Sequence, residues 1–462
     1  MQRFARSKAA RWAAFWLTAL LAAAFAGAFA PASAHAQDAA HSPCIATVEQ
    51  RAAYAADGTL DEREAFQESL GNDEPSPGLV QQALAREQAQ NGIAPNAVPG
   101  DDGGMAAIGN AHVVALRVSF PDRPFAEGDT LEALQALIGP RAVGEAALPS
   151  AGGFPYENLH DYYLRASYGA LTVTGEAFDY AAQHERDFYT ANIGQLYKEA
   201  LDHLEASGID LARFDANGDG RIDAVYLHFA GGDTGWGSVW WSNEQVLDVP
   251  DAVYADGTVR LWNAVALSNP CDQPWAAQTI IHETGHVLGL PDYYQYASQQ
   301  GGSADRTGIL TFDIMMQNQG DHNGFSKWML GWLPDSKITR IFANETGIDV
   351  KRDGKVVQHV DATADGSSSV EAALEAFASN DIDETGGIVV VANQDASMFS
   401  SYYLLQYDRF AGNQSVRYEQ DGQPAELPSG FRLFRVQADL GSGGPYFVHS
   451  NTYGTVHNQL IE

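Results

Sequence analysis

The segment from residue 282 to 292 constrains this chain more than any other feature, because it combines two histidines with two carboxylates in a short span. His282 and His286 are four residues apart, so on a helix their imidazoles lie on one face and can hold a single ion. Glu283 beside that ion can act as a general base. Gly289 can end the helix and let Asp292 reach the same ion. The segment therefore predicts a zinc site that leaves one position open for water.

The residues around the two histidines favour a helix that packs on one side. At about 100° per residue, the apolar positions gather nearly opposite His282 and His286. These positions are Ala277, Ile280, Ile281, Thr284, Val287 and Leu288. We therefore expect one face of this helix to pack against a core and the other face to hold the metal.

The order of motifs along the chain resembles the M6 metallopeptidase family, the immune inhibitor A-like proteases of the metzincin clan. The extended family pattern His-Glu-x-x-His-x-x-Gly-x-x-Asp is complete between His282 and Asp292. The sequence Phe312-Asp313-Ile314-Met315 resembles the Met-turn of that family, with Phe in place of Trp. Weaker similarities extend the resemblance over roughly residues 110 to 440.

The resemblance implies a metzincin-like α+β fold, in which a twisted mixed sheet carries the zinc-site helix. It implies that His282, His286 and Asp292 bind zinc, that Glu283 is the catalytic base and that Met315 lies beneath the metal. The implied activity is that of a secreted zinc metalloendopeptidase. The resemblance does not supply the substrate; an exported peptidase would act on proteins or peptides, with extracellular glycoproteins as candidates.

Two alternative functions stay open at the level of sequence. One is a secreted binding protein or adhesin that keeps the metallopeptidase fold and recognises host or cell-surface glycoproteins. The intact Glu283 argues against it, because a purely binding protein has no need of a general base. The other is a gluzincin, in which a downstream helix supplies a glutamate ligand. No helical Glu-rich segment follows soon after Asp292, which argues against that class.

Oxygen-bearing side chains alternate with glycines between residues 215 and 223, a pattern typical of calcium loops. The candidate ligands are Asp215, Asn217, Asp219, Asp223 and the backbone carbonyl of Arg221. The match to an EF-hand is partial, since Tyr226 stands where the bidentate Glu would be. We predict a structural calcium ion here, and an Asx-rich turn without metal is the alternative.

The N-terminus has the features of a secretory signal peptide over residues 1–36. Basic residues precede an apolar run from Ala13 to Ala30, and Ala34-His35-Ala36 offers a cleavage site. No later stretch is long and apolar enough to span a bilayer. We therefore expect an exported, extracellular protein, with a retained signal anchor as the alternative.

Composition changes along the rest of the chain suggest three units. Residues 37–109, which contain two Pro- and Gly-rich polar clusters, are expected to form a propeptide or linker, so the enzyme would be a zymogen. Residues 110–334 would form the catalytic domain, beginning with a strand through Val118. Residues 335–462 contain short β-type runs and would form a β-rich C-terminal subdomain.

The net charge of the chain limits the classes of partner that it is expected to bind. The chain has 59 acidic and 27 basic residues and a formal net charge of −32, which disfavours nucleic acid as a partner.

Cys44 and Cys271 are the two cysteines. In an exported chain they could form a disulfide, remain two thiols, or provide Cys44 as a latency ligand for the zinc.

Two further features have open interpretations. Trp236, Trp240 and Trp241 could line a substrate cleft or pack the interior. His322 could orient a loop or contact substrate, but a hydrogen-bonded structural histidine is the interpretation that we favour.

Overall fold

The structure is a computed structural model that describes most of the chain from residue 46 onward. The described residues are 46, 48–90, 104–140, 157–271, 273, 275–294, 296, 309, 313–318, 320–363, 368–372, 374, 376–377, 386–409, 417–420, 423–426, 429–442, 446–448 and 460–461. The segment predicted as a signal peptide, Cys44 and Phe312 lie outside these residues.

Within the described residues, three helices precede the first sheet: α1 (Val48–Asp57), α2 (Leu60–Leu70) and α3 (Pro77–Gln90). Helix α2 ends at Gly71, whose φ of 80° gives the left-handed cap that glycine adopts without strain. Helix α3 begins at Pro77, whose fixed φ suits a first turn. The apolar side of α3 is buried in the main core. The described part of the segment that the sequence assigns to a propeptide or linker is therefore packed onto the rest of the chain.

A five-stranded sheet forms the centre of the unit that follows. Its order is β2-β1-β3-β7-β4; β2, β1, β3 and β7 run parallel and β4 is antiparallel at the edge. The strands are β1 (Gly109–Ser119), β2 (Leu171–Ala181), β3 (Val225–Phe229), β4 (Asn243–Val246) and β7 (Asn263–Leu267). The short strands β5 (Val253–Tyr254) and β6 (Val259–Arg260) form a separate hairpin. The strand predicted from residue 110 to 118 is confirmed as part of β1.

Helices pack on both faces of this sheet. Val113 and Ala115 of β1 enter one apolar cluster, whereas Val114 and Leu116 enter another, because successive side chains of a strand point to opposite faces. The first cluster contains residues of α4 (Leu131–Ile138), α5 (Leu159–Ala166) and α7 (Ala276–Val287). The second contains α6 (Ile193–Ala206) and the 3₁₀ turns Arg186–Tyr189 and Leu211–Phe214.

Helix α7 is followed by two short helices, α8 (Ile314–Gln317) and α9 (Gly324–Met329), and then by a second sheet. The order of this sheet is β10-β9-β8-β12-β13-β11, and β16 pairs with β13. Its strands are β8 (Ile338–Ala343), β9 (Gly347–Arg352), β10 (Lys355–Asp361), β11 (Ala376–Phe377), β12 (Ile388–Ala392), β13 (Ser401–Asp408) and β16 (Gly430–Gln437). The strands β14 (Arg417–Gln420) and β15 (Gln423–Glu426) pair only with each other in the described chain.

One apolar core joins these units. It includes Leu79 of α3, Ile281 of α7 and Met315 of α8, and it continues into Leu404 of β13 and Phe434 of β16. The mixed α+β character predicted from the sequence is thus confirmed. Across the residues that the structure describes, no helix has the length and apolarity needed to cross a membrane.

Candidate metal centre

Helix α7 carries the first three residues of the predicted site. His282 and His286 are one turn apart, and their ring centroids are separated by 4.9 Å. Every residue of α7 is buried, including both histidines and Glu283. The sequence predicted that one face of this helix packs and that the other holds a metal. The two histidines do share one face, but other parts of the chain cover that face as well.

A glycine turn brings the fourth residue to the same place. Gly289 has a φ of 87°, and its N–H donates to the carbonyl of His286 at 2.8 Å. The N–H of Leu290 donates to the carbonyl of Gly285 at 2.9 Å, which completes a Schellman motif. The reversal places Asp292 Oδ1 3.0 Å from His282 Nε2 and 3.4 Å from His286 Nε2. The three donor atoms thus lie within 4.8 Å of one another.

Backbone carbonyls orient both imidazoles. His282 Nδ1 lies 2.8 Å from the carbonyl oxygen of Ile314, and His286 Nδ1 lies 2.8 Å from that of Leu290. Since a carbonyl only accepts, each Nδ1 must carry a hydrogen, and in a neutral ring each Nε2 then presents a lone pair. Such an outer contact is typical of metal-binding histidines. The donor set of two imidazoles and one carboxylate therefore fits a divalent metal of the zinc type.

Two contacts hold Asp292 in place. The Tyr296 hydroxyl donates to Asp292 Oδ2 at 2.6 Å, on the carboxylate oxygen other than the one nearest the histidines. The backbone N–H of Asp292 donates to the carbonyl of Asn72, just after α2, at 2.7 Å. Burial opposes ionisation of Asp292, but the electrostatic influence of the two neighbouring histidines outweighs it and brings its pKa well below the usual range.

Glu283 lies beside this triad in a crowded acidic environment. Burial raises the pKa of Glu283 to about 8; Asp292 and Glu244 add to the rise and His282 opposes it. Glu244 on β4 is itself buried, and burial raises its pKa to about 7. A dication at the triad would counter this excess of negative charge, so the electrostatics suit a metal-binding site.

The segment predicted as a Met-turn passes beneath α7. A Cβ built on Gly285 would lie 2.3 Å from Met315 Sδ, so the thioether fits against the helix only because residue 285 is a glycine. The Asp313 carboxylate fixes this segment by accepting from the N–H of Met315 at 2.8 Å and from that of Asn323 at 2.6 Å. Met315 therefore packs under the helix that carries both histidines.

The features with open interpretations are all buried. Trp236 and Trp241 pack with Ala46 and Tyr54 of the N-terminal segment, and Trp240 packs in the core beside α6. Packing is thus the role that the structure gives these tryptophans. His322 is surrounded by aromatic rings, and within the described residues its ring nitrogens make no hydrogen bond, unlike the hydrogen-bonded histidine that the sequence favoured.

The predicted calcium loop forms a compact turn that its own side chains hold together. Asp215 accepts from the backbone N–H groups of Gly218, Asp219 and Gly220 at 2.8–3.0 Å. Burial raises the pKa of Asp223 to about 7, although backbone donors oppose the rise, and the nearby Asp215 and Asp219 raise it further. Among the described residues, these carboxylates do not form one of the groups whose donor atoms all lie within 4.8 Å. Calcium binding at this loop stays a prediction.

Three residues at the site escaped the sequence reasoning. Tyr296 could have been suspected from the tyrosine-rich run that follows Asp292. Glu244, whose backbone N–H hydrogen-bonds Glu283, and Asn72, which offers a carbonyl, carry no local sequence signal. The predicted pairing of Cys271 with Cys44 cannot be followed, because Cys44 lies outside the described residues.

The fold and the site together define a mixed α+β protein with buried side-chain groups able to bind a metal ion. No family model matches the chain, and no curated protein sequence is significantly similar to it.

Proposed function

We propose that this chain is a secreted, zinc-dependent endopeptidase of the metzincin type, similar to the M6 family. One observation carries the proposal: His282 Nε2, His286 Nε2 and Asp292 Oδ1 converge, and the buried Glu283 on the same helix interacts electrostatically with His282 and Asp292. The sequence resemblance and the packing of Met315 against Gly285 support the same assignment.

His282, His286 and Asp292 would hold the zinc ion. When bound, the ion polarises the scissile carbonyl and lowers the pKa of water. Three protein ligands are the number found in catalytic zinc sites, where a fourth position stays open. The carbonyls of Ile314 and Leu290 keep the imidazole tautomers required for binding.

Glu283 would move the protons of the reaction. Its carboxylate accepts a proton from the attacking water and then donates it to the amine of the leaving product. Peptide hydrolysis needs both transfers, because the amine is a poor leaving group while unprotonated. The Glu283→Gln variant carries a neutral amide, which cannot accept this proton. The variant therefore tests proton transfer separately from metal binding.

The candidate site is buried in the structure, so a substrate can reach it only after part of the chain moves. Asn72 and Ser76, in the loop between α2 and α3, hydrogen-bond the backbone of Asp292 and Gly289 at 2.7 and 2.9 Å. These residues belong to the segment that the sequence assigns to a propeptide or linker. Displacement of this segment would open the site, which supports the proposal that the protein is made as a zymogen.

A peptidase assay combined with metal analysis tests the function. Purified mature protein is incubated with a mixed peptide library, with and without a zinc chelator, and zinc is measured in the same samples. We expect Glu283→Gln to lose hydrolysis by at least about 100-fold, the low end for a general base, while it keeps its zinc. The exposed Glu345→Gln is the matched control and should match the wild type.

Two outcomes would count against the proposal. Full turnover by Glu283→Gln would remove the glutamate from proton transfer. A wild-type protein that binds zinc but cleaves no peptide, even after removal of residues up to 90, would favour the alternative of a secreted binding protein.

A further inference from the structure

A second group of metal-binding side chains lies at the C-terminal edge of the five-stranded sheet. Asp129, His228 and Cys271 are all buried, and their donor atoms lie within 4.8 Å of one another. His228 is on β3, paired with Leu267 at the end of β7. Asp129 immediately precedes Thr130, the N-cap of α4, and Cys271 lies shortly before α7. Three separate segments thus meet at one point.

His228 contacts an oxygen partner on each side of its ring. Its Nδ1 lies 3.3 Å from the carbonyl oxygen of Leu267, and donation to this carbonyl leaves a lone pair on Nε2. That lone pair points at the Asp129 carboxylate, whose oxygens lie 2.9 and 2.8 Å from Nε2. A cation between Nε2 and the carboxylate would stabilise this tautomer, which is the one that a metal-binding histidine presents.

The third side chain adds a sulfur ligand to the group. A hydrogen-bonded pair of His228 and Asp129 would be complete without Cys271, yet the cysteine places its sulfur in the same small buried volume. A nitrogen, a sulfur and a carboxylate form a donor set that suits zinc.

We propose that Asp129, His228 and Cys271 bind a second zinc ion, at a site distinct from the triad of α7. The ion would tie the start of α4 and the end of β3 to the segment that leads into α7. The buried donor atoms are closed to substrate, so its role would be structural, with both oxygens of Asp129 bound so that four protein atoms hold the ion. It would fix the N-terminal approach of the helix that carries His282 and His286. A disulfide between Cys271 and Cys44 is incompatible with this site, because the metal takes the thiolate.

The surroundings are built to exclude water from this point. The Phe125 ring lies 5.1 Å from the ring of His228, and the Arg117 guanidinium lies 3.9 Å above Phe125. Arg117 Nε also donates to the backbone carbonyl of Asp129 at 3.0 Å. This cover holds Asp129 and shields the donor atoms, as expected around a structural ion.

Cobalt substitution tests the proposal independently of peptidase activity. Full-length protein after signal removal is stripped of metal and titrated with Co²⁺, and the near-ultraviolet spectrum and bound metal are recorded. A thiolate–cobalt charge-transfer band can come from Cys271 but not from His282, His286 and Asp292, which carry no sulfur. We expect two equivalents of metal and this band in the wild type. His282→Ala should keep the band and lose one equivalent.

The variants of the second site should behave in the opposite way. Cys271→Ser is expected to lose the band and one equivalent while it keeps peptide hydrolysis dependent on the first site. Cys44→Ser is the matched control and should keep both. If Cys271→Ser fails to fold, the spectrum of Cys44→Ser decides, because Cys271 is the only thiol left in that variant. A single equivalent without the band, or a peptide map that shows Cys271 disulfide-bonded to Cys44, would overturn the proposal.

Discussion

Tyr296 donates a hydrogen bond of 2.6 Å to Asp292 Oδ2, on the side of the carboxylate away from the oxygen that faces His282 and His286. The Tyr296 hydroxyl thereby fixes the rotation of the one proposed ligand that lies outside α7. This contact explains how a residue on a loop can hold a position as defined as that of the two helical histidines.

Removal of the Tyr296 hydroxyl should weaken metal binding. We expect Tyr296→Phe to weaken zinc affinity by roughly 10- to 100-fold, as is typical when an outer contact of a ligand is lost. Asp292→Ala should weaken it more. Competition with a chelator measures both, and Tyr293→Phe is the control because its hydroxyl contacts Ser326 instead. A zinc-bound structure with Asp292 turned away from the ion would contradict the assignment; a bound oxygen should lie roughly 2.0–2.2 Å from zinc.

Gly285 and Met315 should show energetic coupling. A Cβ at position 285 would approach Met315 Sδ to 2.3 Å, so Gly285→Ala is expected to lower the free energy of unfolding by about 1–3 kcal/mol through overpacking. Met315→Ala should cost about 2–5 kcal/mol by leaving a cavity. The double variant should lose less than the sum, because the cavity admits the added methyl group. Chemical denaturation of all four proteins measures this coupling.

The matched control for this cycle is Met398→Ala, a buried methionine that is not among the nearest neighbours of residue 285. Its effect should add to that of Gly285→Ala within about 0.5 kcal/mol. Strict additivity in the Met315 cycle as well would mean that the thioether does not pack beneath α7.

Calcium should stabilise the folded protein through the loop of residues 215 to 223. Asp215, Asp219 and Asp223 are close enough to raise the pKa of Asp223 by mutual repulsion, which adds to the effect of burial. A cation bound only by the folded state would relieve that repulsion and add stability of about 2.7 kcal/mol at a concentration 100-fold above its Kd. The thermal midpoint of the wild type should therefore rise with calcium, whereas that of Asp219→Ala should not.

The melting series is recorded with zinc present, so that the proposed zinc sites stay filled. Equal shifts in the two proteins would locate the calcium effect elsewhere. An unchanged wild-type midpoint would leave the loop as an Asx-rich turn held by its backbone hydrogen bonds.

Asp408 should make stability depend on pH. Burial raises the pKa of Asp408 to about 6, although Arg432 and a hydrogen bond from Gln406 oppose the rise. Because the folded-state pKa lies above the unfolded one, the stabilising proton is fully bound below a pH of about 4 and is lost as pH rises through about 6. Asparagine does not titrate, so the Asp408→Asn variant does not lose this stability as pH rises.

The unfolding free energy of Asp408→Asn should therefore rise relative to the wild type by up to roughly 3 kcal/mol between pH values of about 4 and 7. Denaturant titrations across this range measure the difference. The exposed Asp251→Asn is the control for the loss of a carboxylate at the surface. A difference for Asp408→Asn that does not change with pH would contradict the raised pKa.

Local sequence was sufficient for the geometry of the first site. The four-residue spacing places His282 and His286 on one face of a helix. Gly289 adopts a left-handed backbone conformation that few other residue types adopt. These are short-range rules of backbone geometry, so neighbouring residues alone predict them. The strand through Val118 followed from local periodicity in the same way, whereas the mixed α+β class was expected from the resemblance to a known family.

Contacts between distant segments could not be predicted, because they depend on how the whole chain packs. The Asn72 carbonyl at Asp292, the Glu244 carboxylate near Glu283 and the burial of every side of α7 involve segments far apart in sequence. Asp129, His228 and Cys271 likewise come from three elements, with no spacing that marks them as a group. The sequence by itself determined which residues near position 282 can bind a metal. Only the tertiary structure decided what surrounds them and which distant side chains meet, since long-range packing sets those positions.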